Sequence, residues 1–157
     1  MNQAVDIREL NERIQRESSF VDMVTMEMNK VIIGQKHLVE SLLIGLLSNG
    51  HILLEGVPGL AKTLAIKSLA NTISAKFARI QFTPDLMPGD IIGSSVYSRD
   101  KNAFVFIPGP LFTSLLLADE LNRGTPRTQA ALLQAMAEGQ CTAENQTYNL
   151  PKTFFVI

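Results

Sequence analysis

An α/β fold, with a mostly parallel sheet covered on both faces by helices, is predicted by three observations. Short apolar segments alternate with longer stretches whose hydrophobic residues recur every three or four positions. A Gly/Pro-rich turn stands directly between one short segment and a helical one, and another short segment ends in two adjacent carboxylates. With 157 residues, 46% hydrophobic and 18% charged, the chain can bury a single-domain core and is too apolar to be disordered.

The elements follow in order. Ile7, Leu10 and Ile14, then Val21, Val24, Met28 and Val31, mark an amphipathic helical region with an expected break near Ser18-Ser19. After Ile33-Gly34-Gln35, the spacing of Val39, Leu42, Leu43 and Leu46 predicts a second helix stopped by Asn49-Gly50. His51 to Glu55 reads as a strand, Gly56 to Gly59 as a turn, and Leu64, Ile66, Leu69, Ala70 and Ile73 as one face of a helix. Ala78 to Phe82 is the next predicted strand, followed by a structured loop through Thr83-Pro84-Asp85 and Met87-Pro88-Gly89-Asp90. Ser95 to Tyr97 and Phe104 to Ile107 predict a hairpin, and Leu115 to Asp119 a buried strand. Thr125-Pro126 opens a helix that stops at Gly139. Gln140 to Thr142 with Thr147 to Asn149 form a second expected hairpin, and Lys152 to Ile157 a last strand.

The charge balance excludes some functions. With 14 Lys and Arg against 15 Asp and Glu, the formal charge is -1, which offers no basic stripe and makes nucleic acid an unfavoured partner. One cysteine, Cys141, cannot form an internal disulfide, and with two histidines it cannot build a usual zinc site, so a cytoplasmic setting is expected. His51 and Cys141 read as packing residues. No secretory signal is expected between Met1 and Leu10, and no apolar run approaches the length of a membrane span.

The segment Gly56-Val57-Pro58-Gly59-Leu60-Ala61-Lys62-Thr63, running on into Leu64, has the composition and context of a phosphate-binding loop. Such a loop turns backbone N–H groups around a phosphate while the following helix aims its N-terminus at the same anion. Lys62 is then placed to neutralise the β- and γ-phosphates, and the Thr63 hydroxyl to ligate Mg²⁺. Ala61 replaces the usual glycine, which fits if that residue is already helical. The alternative is a plain strand-to-helix turn that happens to precede a lysine. Against it stands Ser114-Leu-Leu-Leu-Ala-Asp119-Glu120, an apolar strand ending in two acids. Strand alternation assigns Asp119 and Glu120 to different sides, the first on the Mg²⁺ side and the second as the base that polarises water. A solvated acidic pair at a strand end is the competing reading.

These segments resemble the AAA+ ATPases and, more closely, the MoxR family. The resemblance is carried by Val31 to Gln35, Gly50 to Thr63, Arg79 to Leu86, Phe106 to Phe112, Asp119 to Arg123 and Gln129 to Met136. It implies a three-layer αβα P-loop fold, with residues 1–33 as an N-terminal helical segment and 34–157 as a partial ATPase core carrying a hairpin insert at about 95–107. It further implies ATP with Mg²⁺, a hexameric ring with nucleotide between subunits, and chaperone-like remodelling beside a protein carrying a von Willebrand factor A domain. By position, Ile32, Ile33 and Gly34 would pack near adenine, the alternative being an apolar turn between helices. Gln81 would hold the catalytic Glu120 in check. Tyr97, Phe104 and Phe106 of the insert are expected to pack in a core rather than face a partner. Arg123 and Arg127 are expected to be a solvated helix start rather than reach a neighbouring subunit's phosphates. In the family, the strand at Phe154 to Ile157 ends in a sensor residue, followed by an arginine finger, a second sensor and a helical lid. None is present in these 157 residues, so the piece alone is expected to hydrolyse ATP negligibly. The rivals are a nucleotide-dependent regulatory module that does not hydrolyse, and a chelatase- or DNA-associated AAA+ subunit.

Overall fold

The computed structural model describes residues 7–55 and 60–157; for Leu60 and Ala61 only the backbone is described. Five helices, α1 (Ile7–Asn29), α2 (Lys36–Leu47), α3 (Leu60–Thr72), α4 (Pro88–Ile92) and α5 (Pro126–Glu138), accompany seven strands among the described residues. The strands are β1 (Phe77–Gln81), β2 (Gly93–Ser98), β3 (Ala103–Pro108), β4 (Leu115–Asp119), β5 (Gln140–Ala143), β6 (Gln146–Asn149) and β7 (Phe155–Val156).

The central sheet is parallel, in the order β1-β4-β7, with Gln81 opposite Asp119 at its C-terminal end. Alternation along these strands separates two cores. Leu115, Leu117, Phe155 and Ile157 pack with α1, α2 and α3, while Ile80, Phe82, Leu116, Phe154 and Val156 pack with Ile91, Leu132, Ala135 and Cys141 on the other face. This is the helix–sheet–helix layering expected from the sequence, and it explains why Leu115-Leu116-Leu117 is an unbroken apolar run.

Helix boundaries obey local chemistry. At the end of α2, Asn49 turns left-handed (φ 52°), Asn49 N–H bonds to Leu46 O, and Gly50 N–H reaches back to Gly45 O at 3.0 Å. The end of α3 repeats this pattern at Ser74 (φ 53°), with Ala75 N–H on Ala70 O at 2.8 Å. Thr125 caps α5 by accepting the Thr128 N–H, ahead of Pro126.

Several expectations are corrected. α1 runs unbroken through Ser18 and Ser19, because their hydroxyls donate to the carbonyls of Gln15 and Arg16 and so stay within the helix. His51 to Glu55 lies beside β7 without forming a ladder. Ile52 N–H bonds to Val156 O at 3.0 Å, but the Val156 N–H is taken by the His51 ring at Nδ1 rather than by a main-chain carbonyl. The final strand is β7 alone, since Lys152 and Thr153 bend the chain after Pro151. The loop expected at Met87 to Asp90 contains the single turn α4, whose Pro88 start is braced by Met87 N–H donating to Asp90 Oδ2. In the β2–β3 hairpin, Phe106 packs as expected, stacked on Tyr148 at 4.1 Å with Phe112 edge-on. Tyr97 and Phe104 do not join a core. They pair with each other toward the hairpin tip, beyond the reach of the β5–β6 ribbon that covers Phe106, and remain 49% and 74% exposed.

Candidate functional site

In a parallel sheet the carboxyl ends of the strands open toward ligands. Here that edge borders a cavity of about 1230 Å³, reached by β1, β4 and the first turns of α3. Gly56, Val57, Pro58 and Gly59 lie outside the described residues. α3 begins at Leu60, so Ala61 is helical, as the replacement of glycine required. Lys62 and Thr63, on the first turn of α3, line the cavity half-buried, and Leu64 is exposed.

Asp119 is the last residue of β4 and Glu120 the first beyond it, and both line the same cavity. Their placement differs from simple alternation. Glu120 has φ 55° and ψ 42°, so the chain leaves the extended region there and turns into a 3-10 turn, Leu121–Arg123. Gln129 of α5 holds that turn, its amide donating to Leu121 O at 3.0 Å and Gly124 O at 2.9 Å. The turn brings Asn122 and Arg123 to the cavity wall, whereas Arg127 borders a separate apolar notch beside Pro84, Leu86 and Met87. Arg123, at the end of the 3-10 turn, and Arg127, in the first turn of α5, are both exposed.

Sequence reasoning gave Arg79 no role. Its Nη2 donates to Asp119 Oδ2 at 2.6 Å and to Gln81 Oε1 at 2.7 Å. The available signal was alternation, since Arg79 and Gln81 are two residues apart and share a face of β1. Gln81 thus meets Arg79, opposite Asp119 in register. The described lining holds the cations Lys62, Lys67, Arg79 and Arg123 and the carboxylates Glu55, Asp119 and Glu120. Such a wall of mixed sign suits a polyanion accompanied by a cation.

Ile32 is 5% exposed and belongs to the core with Val39 and Leu42; Ile33 is 86% exposed; Gly34 has φ 76°. None of the three lines the cavity. His51 is a packing residue, as expected: accepting Val156 N–H at Nδ1 fixes the proton on Nε2, which donates to Met136 O at 3.2 Å. Cys141 is buried, and burial pushes its thiol above the usual range. Among the described residues no cluster of His, Cys, Asp and Glu forms a metal cage, and no helix is long and apolar enough to cross a membrane.

The model of the ATPase family associated with various cellular activities (AAA) matches residues 51–157. The chain is 45% identical over 137 residues to chaperone MoxR1 of Mycobacterium tuberculosis, across 87% of this chain and 36% of that protein. It is 46% identical over 130 residues to the uncharacterized protein YeaC of Bacillus subtilis, across 83% and 41%. The crystal structure of a protein of Cytophaga hutchinsonii, provisionally named an ATPase, superposes with a TM-score of 0.84 at 45% identity, covering 96% of this chain and 46% of that one. The chain therefore spans about two fifths of the length of these curated relatives. The match takes in the whole central sheet and both walls of the cavity, and the chain belongs to the AAA ATPase family as a MoxR-like member.

Proposed function

We propose that this chain binds ATP with Mg²⁺ and forms the nucleotide-hydrolysing module of a MoxR-type, chaperone-like remodelling ATPase. The observation that carries this reading is the convergence of Lys62 and Thr63 from α3 with Asp119 and Glu120 from the end of β4 on one cavity. Lys62 neutralises phosphate charge that accumulates in the transition state. Glu120, exposed to the cavity at the strand end, orients and deprotonates the attacking water.

The donor set fits the metal. The Thr63 hydroxyl and the Asp119 carboxylate are hard oxygen ligands, few in number, as suits an ion that keeps much of its coordination for water and phosphate. Thr63 and Asp119 would hold Mg²⁺, which would supply positive charge beside the phosphates. Of Ile32, Ile33 and Gly34, Ile33 carries the exposed apolar side chain that a base could meet, whereas Ile32 is committed to the core.

The full-length protein works in this reading as a cytoplasmic hexameric ring, with a partner carrying a von Willebrand factor A domain. The 157 residues alone turn over ATP negligibly, since groups supplied across an interface contribute several orders of magnitude to phosphoryl transfer. In the full-length protein, Glu120→Gln is expected to keep ATP binding and lower turnover at least about a hundredfold, while Lys62→Ala weakens binding itself. Unchanged turnover in the first variant, measured as phosphate release, removes Glu120 from the mechanism; unchanged affinity in the second removes the phosphate-loop assignment.

A further inference from the structure

Resting on that nucleotide reading, we propose that Arg79 is a positioning residue for Asp119, fixing its carboxylate so that one oxygen is presented to the divalent cation held with the nucleotide. The geometry is specific. A guanidinium Nη2 carries two hydrogens, and here one goes to Gln81 Oε1 at 2.7 Å and the other to Asp119 Oδ2 at 2.6 Å. Arg79 and Gln81 project from the same face of β1, and the parallel register sets Gln81 directly opposite Asp119. The guanidinium is thus tied to both strands, and the bond to Asp119 is a short, charge-assisted one that fixes rotation of the carboxylate.

Stability does not account for this arrangement. The Arg79 and Asp119 side chains are 46% and 35% exposed, and pairs so open to solvent add little to folding. Their place on the wall shared with Lys62 and Thr63 matters more. Carboxylates that serve metals are commonly oriented by an outer hydrogen-bonding partner, whose loss costs about 10- to 100-fold in metal affinity or activity. Arg79 supplies that partner to Asp119. The rival view, in which the guanidinium occupies the metal's place and competes with it, carries the opposite sign.

The test is ADP binding by the full chain, measured by calorimetry in Mg²⁺ and in EDTA. Wild type gains affinity on adding Mg²⁺. Arg79→Ala keeps the EDTA affinity within about twofold and loses about tenfold of the Mg²⁺-dependent gain. Arg79→Lys, which preserves the charge without the double anchor, is intermediate and carries the test should the alanine variant not fold. Asp119→Asn shows the same loss, and adding Arg79→Ala to it subtracts nothing further. An undiminished gain in Arg79→Ala overturns the proposal, as does a wild type without any Mg²⁺ effect. Equal losses in EDTA and Mg²⁺ reduce Arg79 to a structural role, and a larger gain establishes competition; either result overturns it too. A wild type that binds no ADP overturns the nucleotide reading itself.

Discussion

Glu120 combines a proposed chemical role with a left-handed backbone, φ 55° and ψ 42°, and the two properties can be separated by substitution. A residue with a Cβ costs roughly 1–2 kcal/mol in this conformation, which glycine avoids. Glycine also enlarges the unfolded ensemble, at a cost of about 0.4–1 kcal/mol. Glu120→Gly is therefore expected to be as stable as Glu120→Gln or more stable by up to about 1.5 kcal/mol, whereas at an ordinary backbone position it would be the less stable. Both variants lack the carboxylate, so comparing them isolates the backbone. For a chain of this size 1 kcal/mol moves Tm by about 2–4 °C. Thermal unfolding of the two variants side by side is the assay. A glycine variant melting more than about 2 °C below the glutamine variant refutes the strained turn at Glu120 and, with it, the account of how the carboxylate reaches the cavity.

Gly109→Ala is expected to destabilise the chain by at least about 1–3 kcal/mol, because an added Cβ would meet the main-chain Ile91 O at 2.5 Å and Gly93 N at 2.8 Å, neither able to step aside; chemical denaturation measures it, and an unchanged midpoint would mean that the root of the β2–β3 hairpin is not held against α4. Cys141 is expected to resist thiol reagents at pH 8 until the chain unfolds. Burial raises its thiol above the unfolded value, so the neutral form is favoured in the folded state and stability is lost as pH climbs through the thiol range. Labelling as fast as in denaturant would contradict its place in the core.

What was legible in the sequence was local. The cap and stop of α5 are written in Thr125-Pro126 and Gly139, and the end of β4 in the switch from Leu117-Ala118 to Asp119-Glu120. Those signals act within a few residues. What was not legible depends on distance. Arg79 finds Asp119 across two strands, 40 residues further on, and nothing near Arg79 announces it. His51 diverts the Val156 N–H, 105 residues away, and so unmakes a ladder that the apolar run Ile52-Leu53-Leu54 predicts. α4 was missed for another reason, being five residues long and offering no period to read. Tyr97 and Phe104 have the composition of core residues, but the hairpin carries them beyond the ribbon that covers Phe106.

β1 closes one side of the central sheet, and among the described residues no strand pairs with its outer edge. A row of unpaired main-chain donors and acceptors is a template on which another molecule's strand can grow, and natural edges guard against this by being short and by carrying charge. β1 has five residues, with Arg79 near its middle and Gln81 at its end. The same guanidinium that meets Asp119 therefore stands where a neutral, apolar side chain would make the edge adhesive, so replacements at position 79 bear on the protein's solubility during folding as well as on its chemistry.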